Sequence, residues 1–421
     1  MNNFKNRYFR LYYFITAFSF CTMSYAQEKN DPWLESFLRS KASTLLLNIL
    51  NHPDSFQYQI IYTEINRDRN NQPHFTHHYF HVDPNRYFNP ASTVKLPTAL
   101  IALEKLNELS SKGIDKYTTM FTDSSFSSQS VVTTDSTSLT GLPSIAQYIK
   151  KIFLVSDNDA YNRLYEFDGQ KLLNKRIWEK GYTNTRIVRR FVPMTEEENR
   201  HTNAIRFIKN DSLIYQQAPA YNTISFDYSK QILVGNGYYN RYDSLIMSPM
   251  DFTRHNNLPL QSLQKMLQSV LFPTSVKQSE RFHISNEDEQ FLLQYLSEYP
   301  SESHYPRYDT TEYFDSYTKF FLFKSEKQKI PSHIRIFNKP GWSYGYLTDA
   351  AYIVDFNSKT EFMISAVIYV NQDGILNDDK YEYTETGYPF FKEMGEIIYQ
   401  YDKNRKRKYF PNLDRFKFNY Q

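Results

Sequence analysis

The chain has 421 residues, enough for one large domain or two ordinary ones with a sizeable buried core. Hydrophobic residues at 40% and charged residues at 23% fit a folded protein and exclude disorder over most of the length. Lys5, Arg7 and Arg10 carry the whole formal excess of +3, because residues 1–26 hold no acid. The balance is zero beyond them, which excludes a nucleic-acid binder with a basic working domain.

The first predicted element is an export signal. Basic residues lead into an apolar stretch from Leu11 to Met23, and Ser24-Tyr25-Ala26 offers small residues for cleavage after Ala26. The apolar run is shorter than the roughly 20 residues that a membrane span needs. Cys21, the only cysteine, lies inside it, with Phe18 and Phe20 too bulky for a lipoprotein signal. The mature chain of about 395 residues then has no disulfide, no thiolate and no Cys-ligated zinc. We expect a monomer in the periplasm or secreted, without a stable membrane span.

Helical spacing follows over residues 32–50, at Leu34, Phe37, Leu38, Leu45, Leu46 and Ile49. Phe56 to Ile65 and Phe75 to Val82 read as strands around the polar turn Asn66 to Pro73. A helix runs from Ser92 to about Leu109, with Gly113 as its stop, and another spans Ser144 to Val155. The second ends at Ser156-Asp157-Asn158; helix restarts near Asp159 and again over 170–180. Residues 186–330 are polar and show only one clear element, a helix at 260–271. Three strands follow, His333 to Lys339, Leu347 to Phe356 and Phe362 to Asn371, then a helix over Pro389 to Tyr401 and a basic tail over 403–421. Strands at both ends with helices between predict an α/β fold: one antiparallel sheet built from both chain ends, helices on its faces, and a helical lobe. We place one domain over 27–402, the lobe at about 110–330 and an insertion at about 205–330.

Ser92-Thr93-Val94-Lys95 opens the first strongly amphipathic helix. Residues three apart share a helix face, so Lys95 can hold its amine beside the Ser92 hydroxyl. A desolvated lysine is a base able to activate a serine, and the N–H groups at the helix start can receive an oxyanion. The tetrapeptide alone says little: Ser262-Leu263-Gln264-Lys265 and Ser316-Tyr317-Thr318-Lys319 share the pattern and read as surface coincidences. Its company is informative. Ser156-Asp157-Asn158 lies 64 residues after Ser92 at a break between helices, and Lys339-Pro340-Gly341 ends a strand.

With these three motifs in order, the sequence resembles the penicillin-recognising serine hydrolases, the superfamily of class A β-lactamases and penicillin-binding D,D-peptidases. The resemblance runs from about Phe56 to Tyr401 and implies a three-layer β-lactamase-like fold with no cofactor and no metal. It implies Ser92 as the acylated nucleophile, Lys95 as its proton acceptor and Ser156 as the relay to the leaving nitrogen. Asn158 would hold the substrate's amide side chain, and Lys339 would attract its carboxylate. The N–H groups of Ser92 and Trp342 would form the oxyanion hole beside Gly341. The implied substrate is a β-lactam, the alternatives being an envelope peptide or ester, or a cell-wall ligand sensed without turnover.

Three features depart from the family pattern. Pro340 stands where the third motif usually carries a hydroxyl, for which Ser343 is the candidate replacement. The deacylating glutamate, normally followed four residues later by Asn, has no match; Glu196, Glu197 and Glu198 are the candidates, and an acidic helix start is the competing reading. And 181 residues separate Asn158 from Lys339, so the middle segment is placed to reshape the cleft.

Rival motifs are weaker. Gly341-Trp342-Ser343-Tyr344-Gly345 matches a nucleophile elbow, but a strand follows it and no histidine lies beyond residue 333. His74 and His78 share a strand face about 13 Å apart, too far to ligate one zinc, and His77 and His81 read as ordinary strand residues. Residues 371–380 lack the order of a calcium loop, and Lys403 to Lys408 reads as a solvated basic end.

Overall fold

The computed structural model describes residues 29–327 and 329–420. The segment read as an export signal lies outside them. The central sheet contains β1 (Gln59–Arg67), β2 (Pro73–Phe80), β3 (Ile334–Asn338), β4 (Gly341–Ser343), β5 (Tyr346–Asp355) and β6 (Thr360–Tyr369). Its order is β3-β5-β6-β1-β2, with β4 also on β5, and every pairing is antiparallel. The two chain ends meet where β1 pairs β6, Ile61 opposite Ser365. The sheet is thus built from both ends of the sequence, as expected.

Alternation along the strands divides the core into two apolar layers. Ile60, Tyr62, Ile336, Leu347, Ile353, Ile364 and Ile368 join the terminal helices, Pro32–Lys41, Thr44–Asn51 and Tyr388–Asn404. Ile61, Ile65, Phe337, Ala350, Tyr352, Met363 and Val367 join the helices of the lobe, including Lys95–Glu108, Ile145–Leu154, Asn158–Asp168 and Leu260–Leu271. Caps set the starts: Asp31, Ser43, Ser144 and Asp157 each accept a backbone N–H of the first turn. Ser43 splits the helical stretch predicted over 32–50 into two helices.

The middle segment is richer than its polar sequence suggested. It holds a helix at Asn286–Ser297, capped by Ser285, and a strand Ile205–Lys209 that pairs on one side with Thr119–Thr122 and on the other with Ser212–Gln217. The lobe is therefore mixed, not purely helical.

The basic tail is no loose end. Arg405 and Arg407 are both tucked against Asp402, which also accepts from Tyr62 Oη at 2.8 Å. Phe416 is buried against Phe272, Phe337 and Tyr352. Of the basic residues in the run, the lysines Lys403, Lys406 and Lys408 are the ones that face solvent.

Candidate active site

β3 and β4 are two pieces of one edge strand. They hold a single register on β5, Asn338 opposite Ala351 and Gly341 opposite Thr348. Lys339 N–H donates to Ala350 O at 3.2 Å, so Lys339, Gly341 and Ser343 occupy the narrow pairs while Pro340 and Trp342 turn their backbone to the free edge. Proline stands where the sheet needs no donor. The N–H of Trp342 points off that edge. Lys339, Gly341 and Ser343 present to the lobe, and the indole of Trp342 passes to the opposite layer, against Phe320 and Tyr317.

Gly341 brings this strand onto the nucleophile. A Cβ there would stand 2.7 Å from Pro90 O, 2.8 Å from Ser92 N and 2.9 Å from Thr93 N, so only glycine permits the approach. Ser92 belongs to the tight turn Ala91–Val94 that feeds the helix Lys95–Glu108. Asn89 Oδ1 takes the N–H of Ala91, and Pro90 O takes those of Thr93's backbone and hydroxyl. Among the described residues the Ser92 N–H has no acceptor. It and the Trp342 N–H are thus two free donors on either side of Gly341, the arrangement an oxyanion needs.

Lys95 is fully buried, and its amine does not reach for Ser92. It bonds instead to Ser156 O, to Ser156 Oγ at 3.2 Å and to Asn158 Oδ1 at 2.7 Å. Lys339, also buried, donates to the same Ser156 Oγ at 3.0 Å and to Pro340 O at 2.8 Å. Burial drives the Lys95 amine well below the ordinary lysine range, and the charge of Lys339 pushes the same way. Burial likewise lowers Lys339 to about 7, against the pull of Asp349. Phe191 covers Lys95 with its ring face, 5.0 Å from the amine. Ser156 holds this place in a left-handed conformation, φ 61°, one residue before the cap Asp157.

Ser92, Asn158, Trp342 and Ser343 line one cleft of about 780 Å³ together with Asn89, Arg189 and Phe191. Tyr238, Tyr239, Asn240 and His255 from the middle segment complete its wall. The Tyr344-Gly345 turn, both residues at positive φ, closes the hairpin into β5, so the elbow-like pentapeptide is a strand and turn with no helix behind it.

The three glutamates are elsewhere. They open the short helix Glu196–Arg200: Glu198 closes a capping box with Thr195, Glu196 pairs with Arg200 and Arg254, and Glu197 faces His201. None lines the cleft, where Asp243 is the one carboxylate among the described residues. The acidic helix-start reading replaces that of a water-activating base.

Lys265 is exposed, as expected, but Ser316-Tyr317-Thr318-Lys319 is no surface coincidence: Ser316 and Lys319 are buried. Lys319 donates to Leu296 O at 2.6 Å and to Asn338 Oδ1 at 2.9 Å, and Asn338 Nδ2 donates to Asp349. Ser316 turns its hydroxyl to Phe323 O, so the pair is a brace behind Lys339 and not a second nucleophile. Sequence reading also missed Lys324, whose amine sits among the rings of Phe314, Tyr317, Phe320, Trp342 and Tyr388 and so buttresses Trp342. The aromatic clustering around 313–323 was its only signal. His77 and His78 turn to Thr63 and Asp31 as strand residues do.

The fold is an antiparallel sheet flanked by helices that sets a serine at a helix start beside a glycine edge strand and two buried lysines. Residues 46–222, which hold Ser92, Lys95, Ser156 and Asn158, match the family described as the beta-lactamase enzyme family. The resemblance to penicillin-recognising serine hydrolases thus holds over that stretch. No curated protein matches the chain in sequence. Among solved structures, a beta lactamase from Xanthomonas campestris pv. campestris is 14% identical, with a TM-score of 0.47 over 87% of this chain and 98% of that one. A beta-lactamase from Sphaerobacter thermophilus is 12% identical, with a TM-score of 0.46 over 86% and 97%. PBP-A, in an acyl-enzyme complex with penicillin G, is 13% identical, with a TM-score of 0.46 over 89% and 97%.

Proposed function

We propose that this chain is an exported serine hydrolase that transfers an acyl group from an amide, a β-lactam first among them, to Ser92 and then hydrolyses the ester slowly. The observation that carries the reading is the shared hydroxyl: Ser156 Oγ lies within hydrogen-bond distance of both Lys95 and Lys339. Burial first, and then the charge of Lys339, drives the Lys95 amine well below the ordinary lysine range, so Lys95 gives up its proton. A neutral Lys95 is the base that Ser92 needs. The hydroxyl proton passes to Lys95, the Ser92 oxygen attacks the carbonyl carbon, and the oxyanion settles between the N–H groups of Ser92 and Trp342. Collapse breaks the carbon–nitrogen bond, and Ser156, fed by the lysines, delivers a proton to the departing nitrogen. Asn158 holds the acyl amide, and Lys339 draws the carboxylate; Ser343, four strand steps and about 13 Å further along, is too far to share it. The cleft wall supports slow hydrolysis: among the described residues no glutamate lines it, and Asp243 is its one carboxylate. Export rests on the signal-like residues 1–26; among the described residues no helix is long and apolar enough to cross a membrane.

The test is the intact mass of the mature protein incubated with benzylpenicillin. A lasting adduct that disappears in Ser92→Ala supports the reading. Rapid drug loss with a transient adduct makes the protein an efficient β-lactamase and overturns the slow second step. No adduct and no drug loss overturn acylation by this substrate class.

A further inference from the structure

The cleft carries a cation that this chemistry leaves unused. Arg189 lines it and is only half-buried. Among the described residues its guanidinium has one side-chain partner, His255 Nε2, and no carboxylate. Its backbone is held firmly: Asn256, buried, accepts the N–H groups of Val188 and Arg189 through one Oδ1, at 2.7 and 3.0 Å. His255 is itself packed between Phe252 and Tyr344, ring centroids 4.4 and 6.4 Å away. Burial and the Arg189 charge lower His255 to about 3, so the ring stays neutral and accepts a hydrogen bond from Arg189. The other guanidinium N–H groups remain for a ligand, in the forked geometry that suits a carboxylate.

Position along the edge strand says which end of a substrate this cation reads. Lys339 stands at one end of the run and Tyr344, against His255, at the other. The four steps from Lys339 to Ser343 span about 13 Å, with the free Trp342 N–H between them. An acyl donor whose carboxylate faces Lys339 and whose carbonyl lies at Ser92 extends its remaining arm toward Tyr344 and Arg189. We propose that Arg189, oriented by His255, is a second anion-recognition point that selects acyl donors bearing a carboxylate on the acyl arm. This deepens the function proposed above and rests on it for the direction in which the substrate lies.

The test compares benzylpenicillin with its α-carboxy derivative, which adds one carboxylate to the acyl arm. Binding is measured calorimetrically in Ser92→Ala, where no acylation intervenes, so the result does not depend on turnover. The carboxylated compound binds at least about tenfold tighter, the gain expected of a charged hydrogen-bonded pair. Arg189→Gln removes the preference, and Arg189→Lys, which keeps the charge, retains part of it. Equal affinity for the two compounds, a preference that survives in Arg189→Gln, or binding of neither compound overturns the assignment. Failure of the acylation chemistry shows separately, as a wild-type protein that gains no mass with benzylpenicillin while the binding preference of Ser92→Ala persists.

Discussion

Lys95 and Lys339 meet on one hydroxyl: the two amines lie 3.2 and 3.0 Å from Ser156 Oγ, and all three residues are buried. With Lys95 neutral, its two N–H groups reach Ser156 O and Asn158 Oδ1, which leaves its lone pair for the Ser92 proton. Lys339 donates to the same Ser156 oxygen, so one hydroxyl joins the two lysines in a single chain of hydrogen bonds. The same chain can hand a proton to Ser156 once Ser92 has given its own to Lys95.

Lys95→Met follows directly from that chain. It keeps the length of the side chain and removes the base, so benzylpenicillin acylation should slow by about 10²–10⁴, the usual worth of a placed general base. The rate of mass gain reads this, and a loss below tenfold would remove Lys95 from the role.

The pH dependence has a definite sign. Lys339 falls from 10.5 to about 7 on burial. Its attraction for a carboxylate is therefore present below about pH 7 and fades above it, so acylation should decline on the alkaline side. Stability runs the opposite way. Between about 7 and 10.5 the unfolded chain binds more protons at this site than the folded one, so stability rises with pH across that window and is lost as pH falls toward 7. Urea unfolding at pH 7.5 and 9.5 should show a smaller rise in Lys339→Met than in the wild type. An identical rise in both would place the proton uptake elsewhere.

Much of this site was legible in the sequence because motif chemistry is local. Ser92 and Lys95 share a helix start, Ser156 and Asn158 flank a cap, and Lys339 and Gly341 lie two apart on one strand, so spacing alone shows which side chains can face each other. That one sheet draws on both chain ends was legible too, since strand-like runs lie at both ends of the sequence with helices between; which strands pair was not. The rest depended on contacts across long separations. Nothing near Lys319 in sequence shows that Leu296 O and Asn338 receive it, and nothing near Arg189 shows His255. The glutamates misled for a related reason: a capping box and a water-activating site draw on the same residue type, and only the fold says which way the carboxylates turn. The tail misled because its arginines and lysines read alike in sequence, although only the arginines find the buried Asp402.

Ser156 offers a test that separates strain from chemistry. Its φ of 61° costs a non-glycine residue about 1–2 kcal/mol. Ser156→Ala and Ser156→Gly both delete the shared hydroxyl, so both should lose acylation. Glycine alone relieves the backbone. Ser156→Gly should therefore be more stable than Ser156→Ala by about 1 kcal/mol while remaining equally inactive. Equal stabilities in denaturant titration would show that the loop relaxes without glycine.

Gly341→Ala tests the contact on which the oxyanion geometry depends. The added methyl meets Pro90 O, Ser92 N and Thr93 N, all backbone atoms held in a tight turn at less than 3.0 Å. No flexible side chain can yield, so either the edge strand or the nucleophile turn must move. Overpacking of this kind costs about 1–3 kcal/mol. The damage should be larger in function than in stability, because any shift moves the Ser92 and Trp342 N–H groups apart, and one lost oxyanion donor slows acylation by about 10²–10³. A folded Gly341→Ala protein that still acylates within threefold of the wild-type rate would mean that the oxyanion is held by other donors.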